Sequence, residues 1–415
     1  MFSGFISEDR KPLEVLTYET DLMKTYQLLV FFGVVLTIYS LANIYLYSRG
    51  FAAIQTFQNN KLLYLLIFII LASTFIFGKI FESRHSSILS DVLNVIGGFW
   101  MAFMLYGFIF LFLSDIIALG LRLVGIIDRQ NILIFKKWSY ILTLVISFIL
   151  IAGGFLNAIV PKVTTYNITI RKSAGDLKEL RIGAVSDIHL GSIIRKRSIR
   201  KLSEILRKLE PDIVFLLGDI VDGEIGPVLR GDLLQYFTCP KCSDGLYAIT
   251  GNHEFIGGAD RTIPYIESKG IRILKDEFVT IEGGVQIAGR LDRDSRRFYG
   301  RERKPLSEIL TGADRSKPII LLDHQPTNLG DAENNGIDLQ LSGHTHNGQM
   351  WPLNHLTSKL YELSYGHKTR GSTHYIVSSG FGLWGPRVRS GSRPEVLLVN
   401  IKFDPDQGAV AGNDN

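Results

Sequence analysis

The sequence predicts an N-terminal transmembrane α-helical region followed by an α/β layered domain, and three observations carry that prediction. Apolar residues crowd the chain before residue 161. After Pro161 short apolar runs alternate with helical patterns, and five polar motifs stand where those runs stop. With 46% hydrophobic residues and a mean hydropathy of +0.18, the chain is too apolar for an ordinary soluble protein. Its 415 residues leave room for two or three domains.

Four apolar windows, 26–46, 62–77, 92–113 and 138–160, approach the length that crosses a hydrocarbon core of about 30 Å. The second is the shortest, bracketed by Lys61 and Lys79. A run such as 62–71 has no polar face to turn to water, so lipid is its natural solvent. The segment ahead of the first window is acidic (Glu8, Asp9, Glu14, Glu19, Asp21), unlike the short basic start of a signal peptide, so no cleaved leader is expected. Four spans would put both termini on one side. That side would hold Arg10, Lys11, Lys24, Lys79, Arg84, Lys162, Arg171 and Lys172, against Arg49, Lys61, Arg122, Arg129, Lys136 and Lys137 opposite. The bias is slight and favours a cytoplasmic catalytic domain in a multi-pass membrane protein.

Beyond Pro161, residues 164–170 alternate as a strand does. Further strands are expected at 181–185, 213–217, 246–250, 285–288, 319–322 and 339–341. Ile199, Leu202, Leu206 and Leu209 fall at helical spacing between the first two of these. The expected organisation is a polar tail over 1–24, a membrane domain with about four helices over 25–161, an α/β domain over 162–404, and a frayed tail over 405–415. The net charge of +5 suits anionic lipid or a phosphorylated substrate. Cys239 and Cys242 cannot alone make a four-ligand zinc site or a disulfide framework, and read as two loop thiols or, less simply, a redox pair.

The polar motifs are Asp187-Ile-His189, Gly218-Asp219-Ile-Val-Asp222, Gly251-Asn252-His253-Glu254, Asp323-His324 and Gly343-His344-Thr-His346. Each follows an apolar run, and in open α/β sheets ligands gather outside the carboxyl ends of strands. Asp187, His189, Asp219, Asn252, His324, His344 and His346 supply the ligands that two cations roughly 3.5–4 Å apart require. Carboxylate, amide oxygen and imidazole together suit manganese first, or iron or zinc, over magnesium and calcium. Glycines 218, 251 and 343 fit tight bends beside the metals. Independently of any family, a histidine beside a metal ligand with a spare carboxylate nearby, as His253 with Asp222, is a plausible acid with its orienter.

In their order and spelling these motifs resemble the calcineurin-like metallophosphoesterase superfamily. Segments 186–191, 343–349 and 389–395 resemble its YkuE/YaeI branch of membrane-associated phosphodiesterases and pyrophosphatases. The resemblance covers about residues 164–402 and leaves the apolar region outside. Asn347 stands where the branch more often has glycine. The resemblance implies an α/β/β/α sandwich of two mixed sheets. It assigns Asp187, His189 and His346 to one metal, Asn252, His324 and His344 to the other, and Asp219 to both. His253 would act on the scissile phosphate, oriented by Asp222. The chemistry implied is hydrolysis of a phosphodiester or pyrophosphate by metal-activated hydroxide, without a covalent enzyme intermediate.

Three further features bear on the substrate. A basic helix face (Arg195, Lys196, Arg197, Arg200, Lys201, Arg207, Lys208) is either solvated or rests on lipid headgroups. The run 290–304 is either a mobile loop or a substrate clamp, with Arg293, Arg296 and Arg297 as binding candidates. The loop 380–386, with Trp384, either packs as a turn or touches acyl chains. The expected partners are a phosphorylated, lipid-linked substrate, such as a nucleotide-diphosphate lipid, and membrane lipid. No nucleic-acid module is recognisable. A broad phosphatase on soluble or protein substrates and a catalytically silent membrane sensor are the alternatives.

Overall fold

The computed structural model describes residues 12–54, 60–239, 242 and 245–405. Four helices come first: α1 (Pro12–Ile54), α2 (Lys61–Arg84), α3 (Ile88–Leu123) and α4 (Arg129–Ala158). Among the described residues three helical segments are long and apolar enough to cross a membrane: Lys61–Arg84, Ile88–Leu123 and Asn131–Ala158. The shortest expected window thus lies in one of the qualifying helices. The first expected window falls in α1, where several side chains lie outside the described residues. The helices outrun their apolar windows because backbone hydrogen bonding continues into polar flanks.

The chain forms two compact units. Met1–Ala72 and Met104–Ile146 make one, within which Arg49 pairs with Asp115 at 3.2 Å and the Tyr45 hydroxyl donates to the same carboxylate. A pair of this kind keeps two charges tolerable on otherwise apolar helices. Ser73–Phe103 and Ser147–Asn415 make the other, so segments of α2, α3 and α4 belong to the same unit as everything that follows α4.

That second unit holds two six-stranded mixed sheets. The strands are β1 (Lys162–Ile170), β2 (Glu179–Val185), β3 (Ile213–Leu217), β4 (Gly245–Ile249), β5 (Arg272–Ile273), β6 (Glu277–Thr280), β7 (Gln286–Gly289), β8 (Ile319–Leu322), β9 (Leu339–Ser342), β10 (Gly366–Arg370), β11 (Thr373–Val377) and β12 (Glu395–Phe403). One sheet runs β1-β12-β2-β3-β4-β5 and the other β10-β11-β9-β8-β7-β6. β2, β3 and β4 are mutually parallel, as are β7, β8, β9 and β11.

Strand alternation sorts the core into layers. Ile213, Phe215 and Leu217 point between the sheets, where they meet Ile320, Leu322, Leu339 and Leu341. Val214 and Leu216 point outward beneath α5 (Lys196–Leu209), whose Ile199, Leu202 and Leu206 are fully buried at helical spacing. Ile319 and Leu321 face the helices on the far side, packing with Leu306, Ile309 and Leu310. The result is the expected α/β/β/α sandwich. Cys239 and Cys242 are disulfide-bonded rather than standing as two loop thiols, their Cα atoms 5.7 Å apart and so within bridging reach.

Candidate metal centre

The carboxyl ends of five strands converge on one site. Asp187 and His189 follow β2, Asp219 follows β3, Asn252 opens a short helix (Asn252–Ile256) after β4, His324 follows β8, and His344 and His346 follow β9. Both sheets therefore contribute. The strands end abruptly here because the backbone turns left-handed: φ is 53° at Asp187, 50° at His189, 51° at Asp219, 71° at His344 and 48° at His346. Such a conformation costs a non-glycine residue roughly 1–2 kcal/mol. Strain of this kind persists where side chains must point to one spot. Asn347 is also left-handed, at φ 46°, which asparagine tolerates almost as glycine does.

The ligand atoms face one another. His189 Nε2 lies 3.0 Å from His346 Nε2, and Asp187 Oδ1 is 3.4 Å from His346 Nε2. Asp219 Oδ2 is 3.3 Å from His324 Nε2 and 3.7 Å from His189 Nε2, so one carboxylate oxygen serves both halves. His344 Nδ1 stands 2.9 Å from the Asn252 amide oxygen. Asp187, His189 and His346 form one donor set; Asp219, His324 and His344 form another.

A cation fits this arrangement on the donors' own chemistry. His324 Nδ1 donates to the Leu217 carbonyl at 2.7 Å, which turns the lone pair of Nε2 toward the Asp219 carboxylate. Nε2 is buried and has no hydrogen-bond partner. Two acceptors held face to face in a buried site require a positive charge between them. The titration behaviour agrees. Burial opposes ionisation of Asp187 and Asp219, yet the surrounding histidines hold both carboxyls below their usual range. Burial likewise opposes charge on His324, and Asp219 and Asp187 hold it well above the ordinary value, so without a metal a proton on Nε2 fills the place between the two that a cation would take. His344 is pushed down to about 4 by burial and the neighbouring His324. The cluster is suited to a dinuclear metal site.

His253 and Asp222 stand beside this cluster. Asp222 Oδ1 lies 3.2 Å from His253 Nδ1, as the expected orienter should, and 3.3 Å from Nδ1 of His189. The same oxygen thus supports a candidate ligand and the candidate acid. Burial lowers the His253 pKa, but Asp219 and Asp222 overcome it and raise the imidazole to about 9.

Two residues that the motifs include, but to which the sequence assigns no role, support the cluster. Glu254 is fully buried, and its carboxylate accepts the backbone N–H groups of Gly251, Asp219, Ile220 and Val221 at 2.7–3.0 Å. It ties the β3 motif to the β4 motif. Arg389, also fully buried, donates to the Ser379 and Gly382 carbonyls and to His346 Nδ1. A buried acid or arginine becomes conspicuous only when its distant partners are in view. Gly343 is required by space, since a Cβ there would strike Ser186 Oγ and lie 2.5 Å from Asp187 Oδ2.

The 290–304 run is less free than its charge suggests. Arg290 and Arg303 pair with Asp323, Arg290 also with Asp331, and Lys304 with Glu308. Arg296 pairs with Glu302 at 3.3 Å in an exposed setting, and Arg297 lies over the Phe298 ring. Arg293 is exposed at the start of the helix Asp294–Tyr299 and makes no ion pair among the described residues. That helix packs on Asn252–Ile256 through Tyr299 against Phe255, ring centroids 5.7 Å apart. The three arginines therefore flank the His253 helix, and none makes an ion pair with a metal-motif residue among the described residues.

Comparison with known proteins bears on the same residues. A family model described as calcineurin-like phosphoesterase matches residues 180–348, which contain every motif of the cluster. A metallophosphoesterase of Campylobacter jejuni is 31% identical over 388 residues, 90% of this chain and 98% of that protein. One from Aquifex aeolicus is 34% identical over 227 residues, 54% of this chain and 85% of its own. A transmembrane protein with metallophosphoesterase domain from Danio rerio is 29% identical over 274 residues, 63% and 62% of the two chains. Three apolar helices and relatives of this kind mark a membrane protein. The chain belongs to the calcineurin-like metallophosphoesterase family, a family of metal-dependent phosphoester hydrolases.

Proposed function

We propose that the chain is a membrane-anchored phosphoesterase that hydrolyses a phosphodiester or pyrophosphate bond in a lipid-linked substrate, such as a nucleotide-diphosphate lipid. The observation that carries the hydrolytic reading is Asp219 Oδ2, set between His324 and His189 as the shared oxygen of two donor sets. Asp187, His189 and His346 would hold one divalent cation and Asn252, His324 and His344 the other. Manganese suits this mix of oxygen and imidazole, with iron or zinc as alternatives. When bound, the two ions supply charge to the phosphoryl oxygens and acidify a water. The rest falls to the chain's own groups. His253 gives its proton to the leaving oxygen, and Asp222, 3.2 Å from Nδ1, orients the imidazole and leaves Nε2 as the nitrogen that gives it. Arg293, Arg296 and Arg297 steer the substrate phosphate from the flank, Arg293 being free of any ion pair among the described residues.

The lipid-linked reading is supported by the segments of α2, α3 and α4 that share one compact unit with the catalytic sandwich. The bias of basic residues supports a cytoplasmic face for that sandwich. The test compares dodecyl-UMP with methyl-UMP as phosphodiester substrates of the full-length protein in detergent. The expected kcat/KM is at least about tenfold higher for the dodecyl ester, since each buried methylene contributes roughly 0.8 kcal/mol. Equal values would remove the lipid from the proposal and leave a broad phosphodiesterase.

A further inference from the structure

A cavity of about 1190 Å³ lies within the second compact unit, behind the first metal motif. Its apolar wall is built by Val92, Val95 and Ile96 near the start of α3, Phe155 near the end of α4, and Phe381 and Leu383 of the loop that follows β11. Val92 and Ile96 remain exposed there. Roughly 300–1,000 Å³ suffices for most small ligands, so the space suits something larger.

Opposite this wall stands the basic face of α5. Six basic side chains line the cavity against two acidic ones, Asp91 and Glu204, and Asp91 is already engaged by Arg195 and Arg230. Arg387 is the sharpest of the six. Its guanidinium lies over the Phe155 ring at 6.0 Å, its Nε is buried without a hydrogen-bond partner, and it makes no ion pair among the described residues. Burial pushes its pKa below the usual arginine value, so an anion beside it would relieve a real cost.

We infer that this cavity binds an anionic glycerophospholipid of the surrounding bilayer, with its chains along α3 and α4 and its phosphate between Arg387 and α5. Arg195 is spent on Asp91 and Lys201 donates to the Ile159 carbonyl, but the rim keeps a basic excess with Arg387 free of any ion pair among the described residues, which matches a molecule that is hydrocarbon at one end and anionic at the other. A soluble phosphate leaves the wall wet; a zwitterionic lipid offers the same phosphate but sets its own cation against the basic rim. The cavity also abuts the centre, because the Phe381 and Gly382 N–H groups donate to the carbonyls of Ser186 and Asp187. The inference goes beyond the phosphoesterase reading and does not depend on it.

The test uses full-length protein in mild detergent, titrated with dioleoyl phosphatidylglycerol or dioleoyl phosphatidylcholine and read by native mass spectrometry. Phosphatidylglycerol should bind about fivefold more tightly than phosphatidylcholine, the preference one basic side chain gives near a surface. Arg387→Gln should abolish that preference. Val95→Trp should fill the cavity and weaken both lipids, while Phe148→Trp, on α4 but outside the cavity lining, should change neither. Equal binding of the two lipids to the unmodified protein overturns the inference. So does a phosphatidylglycerol affinity that survives both cavity substitutions. Displacement of the lipid by equimolar inorganic phosphate overturns it too, by revealing a plain anion site. Hydrolysis of bis-p-nitrophenyl phosphate by the same preparation is scored separately, so a failure of that activity counts against the catalytic reading alone.

Discussion

Arg389 donates to Nδ1 of His346 across 3.0 Å, and the ring's other nitrogen faces His189. A guanidinium carries donors only, so Nδ1 must accept. Nε2 is then the nitrogen that would ligate a cation of the first donor set, and the arginine's charge would ease the loss of its proton. Arg389 is thereby a positioning residue for the first donor set.

Arg389→Lys keeps the charge and loses the fork that also grips the Ser379 and Gly382 carbonyls. Metal affinity should fall about 10- to 100-fold, the usual consequence of removing a ligand's outer partner. Chelator competition measures it; unchanged affinity in a folded variant would show that His346 needs no such support.

His253 should matter in proportion to the leaving group's need for a proton. His253→Gln is expected to slow hydrolysis of alkyl phosphodiesters by about 10²- to 10⁴-fold. p-Nitrophenolate leaves unprotonated, so its esters should lose far less. A uniform loss across leaving groups would make His253 an electrostatic element and not the acid. Asp222→Asn should reproduce the leaving-group pattern more weakly and lower metal affinity as well, because Asp222 also supports His189.

Glu254→Gln replaces an acceptor-only carboxylate with an amide whose NH₂ faces backbone donors from Gly251 and Asp219, or from Ile220 and Val221. One unsatisfied buried group costs about 1–3 kcal/mol. The melting temperature should drop by roughly 2–10 °C. A melting temperature equal to that of the unmodified protein would mean that the loops carry themselves.

Gly343→Ala drives a methyl into Ser186 and the Asp187 carboxylate. Turnover and metal binding should both be lost while circular dichroism stays native. Retained turnover would show that the β9 turn can yield.

Much of this was legible in the sequence for identifiable reasons. β3 and β8 have the boundaries the apolar runs predict, because both of their faces are buried and no polar residue interrupts them. The seven candidate ligands stood out as polar residues ending apolar runs, and all seven do converge. β10 escaped notice because Gly-His-Lys-Thr-Arg is half exposed and carries no apolar alternation. Glu254 and Arg389 stood inside the motifs without a role, because their partners are backbone groups and a ring nitrogen, which no spacing rule records. The arginines at 290 and 303 read as free charge until Asp323 and Asp331 came into contact with them.

The most direct measurement is metal content and bis-p-nitrophenyl phosphate turnover of the full-length protein reconstituted with manganese, beside Asp219→Ala. A shared carboxylate predicts two ions per chain in the unmodified protein, with turnover, and loss of both turnover and at least one ion in the variant. Undiminished turnover in Asp219→Ala, or a single ion in the active unmodified protein, would contradict a dinuclear centre bridged by Asp219.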